Sequence, residues 1–272
     1  MRKEIQKYRL FHRYRILILM IFFIGLWISW FFMGNIHAIL TQNPIGIENI
    51  EEGRAMLLKQ AFTIDIFASS TFRYTMILMP VLVCSMSLLF IWEKKGLFNF
   101  SFIRKEKPRK VIIKSLGIHA FVTGCAFYLI FIFFLTIGLL FNESTMTIPR
   151  KSFDFIVGYN YSQNNAYLYY VLDGFIKLFA FGFVYSLFSD SVSLLTSKDY
   201  LCIIIPVLYY FGMSVIFSSG LQVFALAPVY TQGFTSFENM PLWMAFTPLF
   251  VPLAFSVFAI IYSLRRHEKY VS

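Results

Sequence analysis

Charge is what this chain has least of. Only 14% of its 272 residues are Asp, Glu, Lys or Arg, where a soluble domain carries about 25%. That deficit excludes an ordinary water-soluble globule. Cysteine is scarce too: three residues, Cys84, Cys125 and Cys202, each inside an apolar run. An odd number so placed gives no disulfide framework and no metal-ligand spacing, so they read as small packing residues and no metal is expected. The sequence has no GxxxxGK[ST], so it cannot hydrolyse ATP through a phosphate-binding loop, and no HExxH or GxSxG. No internal repeat and no low-complexity linker divides it. Residues 1–272 therefore read as a single membrane domain.

Hydrophobic residues make up 58% of the chain, and they fall in runs long enough to cross a bilayer. The runs place spans at 16–33, 75–92, 115–141, 167–188, 200–217 and 242–264. The first is too long for a removable signal peptide and lacks a small-residue cleavage pattern. An all-α integral membrane protein with six transmembrane helices is expected. Abundant Phe, Ile, Lys and Tyr point to AT-rich coding and a bacterial source.

The net charge of +10 is no argument for nucleic acid, because the basic residues flank apolar runs and form no separate patch. An anionic membrane surface suits them better. The proposed inner segments hold 18 Lys and Arg: six before the first span, eight in residues 93–114, Lys198, and three in the tail. The outer segments hold five: Arg54, Lys59, Arg73, Arg150 and Lys151. Positive loops stay on the cytoplasmic side, so both termini are expected to be cytoplasmic.

Between the runs, residues 1–15 place Ile5, Tyr8, Phe11 and Tyr14 on one arc of a helix with arginines off its centre, the pattern of an amphipathic interfacial helix. Residues 34–74 read as an outer loop in which Asn49 and Glu52 have capping-box spacing before a short helix. Residues 142–166 read as a second outer loop and 189–199 as an inner one. The stretch 218–241 is mostly apolar, too short to cross, and punctuated by Gly220, Pro228, Gly233 and Pro241. A re-entrant helical segment is expected there.

Two polar features lie inside spans. His119 and Cys125 share the third span, and a Cys/His pair can do nucleophilic chemistry. Six residues apart on a helix, they point roughly 120° away from each other. Cys84 is the other sulfur that could approach His119. Asp173 and Lys177 stand at i,i+4 in the fourth span, on one face. Charges at that depth are costly and mark an ion pair or a substrate path.

The basic stretch EKKGLFNFSFIRKEKPRKVIIK, residues 93–114, mixes charge with aromatics. Glu93, then Gly96, an apolar run through Phe98, Phe100 and Phe102, Arg104, then Pro108, Arg109 and Lys114, together with the order of spans, resembles the permease subunit of the ABC-2 type transporters. The family's usual second Glu is absent, and Lys95 stands nearby. The resemblance implies that this stretch forms a coupling helix between spans 2 and 3 that binds a separate P-loop ATPase subunit. ATP and Mg would sit on that subunit, and this chain would hold no cofactor and no catalytic residue. It implies an amino-terminal connecting helix along the inner membrane face and re-entrant helices at 218–241 that close the pathway. It also implies a second permease, as a homodimer or with a sister chain, in a bacterial cytoplasmic membrane. Such permeases often export antimicrobial peptides, lipids or drugs. The alternatives are a membrane-embedded cysteine peptidase using Cys84, Cys125 and His119, and a non-catalytic immunity or sensor protein.

Overall fold

The computed structural model describes residues 2–41, 50–103, 108–141, 152–158, 165–196, 198–233 and 242–271. Of 2–12, 93–103, 108–109, 141, 155, 157 and 266–271 it describes the backbone alone. The described chain is helical, with no strand among these residues. Helix α1 is Arg2–Met33, α2 Ile36–Thr41, α3 Ile50–Ala61, α4 Ile64–Ile103, α5 Pro108–Phe141 and α6 Asp154–Val157. Helix α7, Ala166–Gly174, runs through a π-helical stretch, Phe175–Ala180, into α8, Phe181–Leu195. Helix α9 is Leu201–Val215, ending in a π turn at Ile216–Gly220. A 3-10 turn at Phe224–Leu226 precedes the short α10, Pro228–Gly233. A second, at Leu242–Phe246, leads into α11, Thr247–Val271.

Six helical stretches are long and apolar enough to cross a membrane, in α1, α4, α5, α7 through α8, α9, and the last 3-10 turn with α11. Successive spans run in opposite directions. Along α1 and α4, Tyr14 meets the Ser85 carbonyl and Ser29 the Ser70 carbonyl. Along α5 and span 4, His119 faces Asp190 and Thr136 faces Tyr167. Spans 2 and 4 run parallel and side by side. Tyr170 donates to Asp65, and Ser189 reaches the Cys84 carbonyl, both contacts joining residues 105 apart. These two spans form the centre: 61% of the most apolar window of each is buried, against 22–39% in the other four. Much of what those four leave open is apolar, such as Leu129, Leu208 and Phe258, as a lipid-facing surface requires.

The structure moves several expected boundaries. The second span begins at Ile64, not at 75, so residues 34–74 are no single outer loop. They hold α2, α3 and the first three turns of α4. Asp65, Ser70, Thr71 and Arg73 interrupt the apolar run there. The hydroxyls of Ser70, Thr71 and Thr75 donate to carbonyls of their own helix, three residues back, so they ride inside the bundle without open donors. Arg73 is exposed on this helix. The short outer helix does form, as α3, although Asn49 lies outside the described residues. No break separates the amphipathic stretch from the first span: Arg2–Met33 is one helix. The fourth span continues to Leu195, which draws residues 189–195 out of the expected inner loop.

Among the described residues, three main-chain carbonyls inside the bundle that lack their helical partner accept a side chain instead. Pro80 has no N–H to give the Met76 carbonyl, and Tyr210 donates its hydroxyl there at 2.9 Å. Pro206 does the same to the Cys202 carbonyl, which accepts from Ser189 at 2.5 Å. The third case lies in the π-helical stretch of span 4.

Candidate functional site: a buried polar layer between spans 2 and 4

A π turn widens the helix and misaligns its hydrogen bonds. In an α-helix the Phe181 N–H would go to the Lys177 carbonyl; here it goes to the carbonyls of Ile176 and Leu178. The Lys177 carbonyl instead accepts the Gln232 carboxamide, Nε2 to O at 2.6 Å. The Oε1 of Gln232 in turn accepts from the Thr75 hydroxyl at 3.3 Å. Gln232 belongs to α10, so one side chain ties this six-residue helix to both central spans. Gln232, Thr75 and Thr231 are completely buried.

The Lys177 side chain occupies the same layer. Its ammonium donates to Asp173 Oδ2 at 2.8 Å, with 2% and 0% of the two side chains exposed. The ammonium also lies 3.9 Å from the centroid of the Phe72 ring, where the ring's negative face offsets part of the lost hydration. Phe72 is held against Phe131 of α5, ring centroids 5.1 Å apart. Span 3 can come this close because Gly174 and Gly124 carry no Cβ. A Cβ at Gly174 would stand 2.7 Å from the Phe131 ring, and one at Gly124 would stand 2.8 Å from the Phe179 carbonyl oxygen. The layer thus joins a cation, an anion, an aromatic face, a hydroxyl and a carboxamide, all of them buried.

A second buried pair lies nearer the other end of span 4. His119 Nδ1 and Asp190 Oδ2 are 2.8 Å apart, with 6% and 0% of the side chains exposed. The rings of Phe90 and His119 sit 5.9 Å apart, and Phe90 packs with Ile112, Leu116 and Leu264. This ties α5, immediately after the basic stretch, to α8 and to the end of α11. Cys84 and Cys202 are buried, and Cys125 is partly buried. The Cys84 carbonyl, like that of Cys202, is approached by Ser189.

Among the residues named for partner binding, Glu93, Gly96, Phe98, Phe100 and Phe102 continue the second span's helix without interruption, and Pro108 and Arg109 open α5. Their side chains, and Arg104 entirely, lie outside the described residues. Asp173 and Lys177 are brought together. Asp190, Thr75 and Gln232 are the polar residues that sequence reasoning missed. Asp190 sits in Ser189–Asp190–Ser191, which reads as a loop. Thr75 reads as the edge of a span, and Gln232 falls in a Gly- and Pro-punctuated stretch without periodicity. No protein-family model, curated protein or solved structure matches this chain.

Proposed function

We propose that this chain is the membrane-spanning permease subunit of an ATP-driven exporter of the ABC-2 type. In this reading it carries amphipathic cargo, an antimicrobial peptide, a lipid or a drug-like molecule, across a bacterial cytoplasmic membrane. The observation that carries the reading is the buried polar layer. Ionisable groups inside a membrane bundle mark substrate or ion pathways, and here they are covered by a short helix, α10, that belongs to no span. This helix is the re-entrant element that closes the path. Hydrolysis of ATP takes place on a separate P-loop subunit, which binds Mg and docks on residues 93–114. A second copy or a sister permease completes the pathway.

The docking surface consists of Phe98 and Phe102, at i,i+4 on one face of the helix, beside Arg104. Aromatic residues and Arg are the usual anchors of an interface. Replacing Phe98 and Phe102 with Ala is expected to release the ATPase on purification while the permease still inserts. Unchanged co-purification would sink the docking surface, and the absence of any P-loop ATPase from the unmodified complex would sink the permease reading. A peptidase using Cys84, Cys125 and His119 is the weaker reading, because Cys84 is fully buried and the His119 Nδ1 is engaged with Asp190.

The orientation puts both termini and the basic stretch in the cytoplasm, supported by the 18 Lys and Arg in the segments read as inner against Arg54, Lys59, Arg150 and Lys151 in the outer ones, Arg73 lying on the helix of the second span. Single cysteines at Ser162 and Ser236, in a chain with Cys84, Cys125 and Cys202 replaced, are expected to react with an impermeant thiol reagent added to intact cells. A cysteine at Ser101 is expected to stay unlabelled. Labelling at Ser101 would reverse the orientation.

A further inference from the structure

We propose that spans 2, 4, 5 and 6 bend together in one hinge layer, and that the bend opens the inner end of the bundle, the one that carries the basic stretch. The proposal concerns how the bundle moves and does not depend on what docks on that stretch.

Each of these four spans carries a break in its main-chain ladder. Pro80, Pro206 and Pro252 withhold a bond from the carbonyls four residues back in spans 2, 5 and 6. Span 4 has its π-helical stretch, Phe175–Ala180. The breaks share a level. Tyr210 reaches the Met76 carbonyl, and Ser189 reaches those of Cys84 and Cys202. Pro80 lies midway between Met76 and Cys84, and Pro206 midway between Cys202 and Tyr210, so the two prolines stand opposite each other. A Cβ built on Gly182, just past the π-helical stretch, would stand 3.5 Å from the Met79 methyl. Pro252 lies one turn before Phe255, whose ring meets that of Phe188 at 5.1 Å. One turn before Phe188 is Tyr185, and its ring meets the Tyr210 ring at 5.8 Å. Sharp bends in helices gather at prolines and π turns. Adjacent helices with their weak points at one level can bend as a set, where scattered weak points would distort each helix singly.

Spans 1 and 3 carry no proline and run past this level as rods. There span 3 touches span 4 backbone to backbone: a Cβ on Gly182 would stand 3.2 Å from the Gly124 Cα. A contact without side chains leaves nothing interlocked, so it serves as a fulcrum. Outward of it the bundle is stapled by rings, with Trp27 and Phe67 against Phe134 at 5.0 and 4.3 Å. Inward, span 3 meets the bending helices through the His119–Asp190 pair and a small cluster, Phe90, Ile112, Leu116 and Leu264, that is separate from the main core. Little has to part for that end to open. Helix α4 continues from Pro80 to Ile103 without another proline, a rod about 35 Å long at 1.5 Å per residue. The bend therefore carries the basic stretch with the inner half of span 2.

The test uses the full chain in phosphatidylcholine nanodiscs, with Cys84, Cys125 and Cys202 replaced and spin labels on exposed positions. Ile113 with Tyr262 reports the inner ends of spans 3 and 6, and Leu140 with Trp243 the outer ends. Pulsed dipolar spectroscopy reads the distribution of each distance. The inner distribution is expected to be at least about twice as wide as the outer one, as two populated hinge states require. Pro80→Ala, Pro206→Ala and Pro252→Ala together restore the missing donors and are expected to narrow the inner distribution to the width of the outer. Replacing both members of the buried pair, His119→Leu with Asp190→Leu, leaves no lone charge behind. It is expected to lengthen the mean inner distance and leave the outer one unchanged. Equal widths in the parent, or a folded triple-proline variant with an unaltered inner distribution, overturn the hinge. If the triple variant does not fold, the pair decides: an inner distance unmoved by its removal overturns the proposal.

Discussion

Lys177→Met alone is expected to lower the folded amount of the protein far more than the double change Asp173→Leu with Lys177→Met. The Asp173 side chain is wholly enclosed, and its Oδ2 accepts the Lys177 ammonium at 2.8 Å. Removing the cation leaves a buried carboxylate without its Lys177 partner. Breaking a buried pair from one side costs about 3–5 kcal/mol, whereas replacing both partners with apolar side chains is often neutral. Against a total stability of roughly 5–15 kcal/mol, the single change should remove a large share of the stability and lower the melting temperature markedly. Size-exclusion yield and melting temperature in detergent measure it directly. If Lys177→Met is as stable and as active as the parent, the pair has no role in holding the bundle together. Under the proposed permease reading, the double variant then separates structure from transport. A purely structural pair predicts that it keeps transport-coupled ATPase stimulation. A pair that lines the path predicts a well-folded protein that has lost transport of charged cargo.

Gly124→Val should be the most damaging change on span 3. At Gly124 the obstacle is the Phe179 carbonyl oxygen, 2.8 Å from where a Cβ would sit, and the Phe183 nitrogen at 3.1 Å. Backbone cannot rotate out of the way as a side chain can, so α5 and span 4 must separate. Overpacking costs about 1–3 kcal/mol where the surroundings relax, and here the strain spreads to both neighbouring contacts. On one side the His119–Asp190 pair would stretch, and on the other the Tyr128 hydroxyl would lose the Val171 carbonyl, now 3.1 Å away. Gly117, two turns earlier on the same helix, is the matched control, because a Cβ there meets nothing within 4 Å. Gly117→Ala should be neutral or stabilising by about 0.5–1 kcal/mol through helix propensity alone. Equal stability of the Gly124 and Gly117 variants would show that the two spans are not held in contact at this crossing.

The six spans were legible because lipid demands long apolar runs, a signal that survives without any knowledge of packing. Their ends were less so. Ile64–Arg73 carries Asp65, Ser69, Ser70, Thr71 and Arg73, which dilute hydropathy, yet the Ser70 and Thr71 hydroxyls donate to carbonyls of their own helix and the stretch continues inward. Asp190 was hidden for the same reason: flanking serines imitate a loop, and only the approach of His119 from another span gives the carboxylate a place inside. Asp173 and Lys177 were readable because i,i+4 spacing is a local property. The π turn that contains Lys177 was not, since no residue preference announces it, and neither was Gln232, whose partners are 157 and 55 residues away. Local geometry can be read from a string of residues; polar contacts between distant segments cannot.

The parallel course of spans 2 and 4 has an electrostatic consequence. Each helix carries about half a positive charge at its amino-terminal end. Two neighbouring helices that point the same way set these partial charges side by side, and a membrane interior screens them poorly. Asp65 stands in the first turn of α4, and the Tyr170 hydroxyl reaches its carboxylate from the opening turns of α7. A single buried carboxyl group thereby stands at one positive end and is hydrogen-bonded to the helix of the other. Asn165, whose side chain accepts from the Leu168 N–H at 3.1 Å, relieves the second end further. The central pair of spans can therefore lie alongside each other, in the least favourable relative direction for their dipoles, because the counter-charge is built into the end where those dipoles converge.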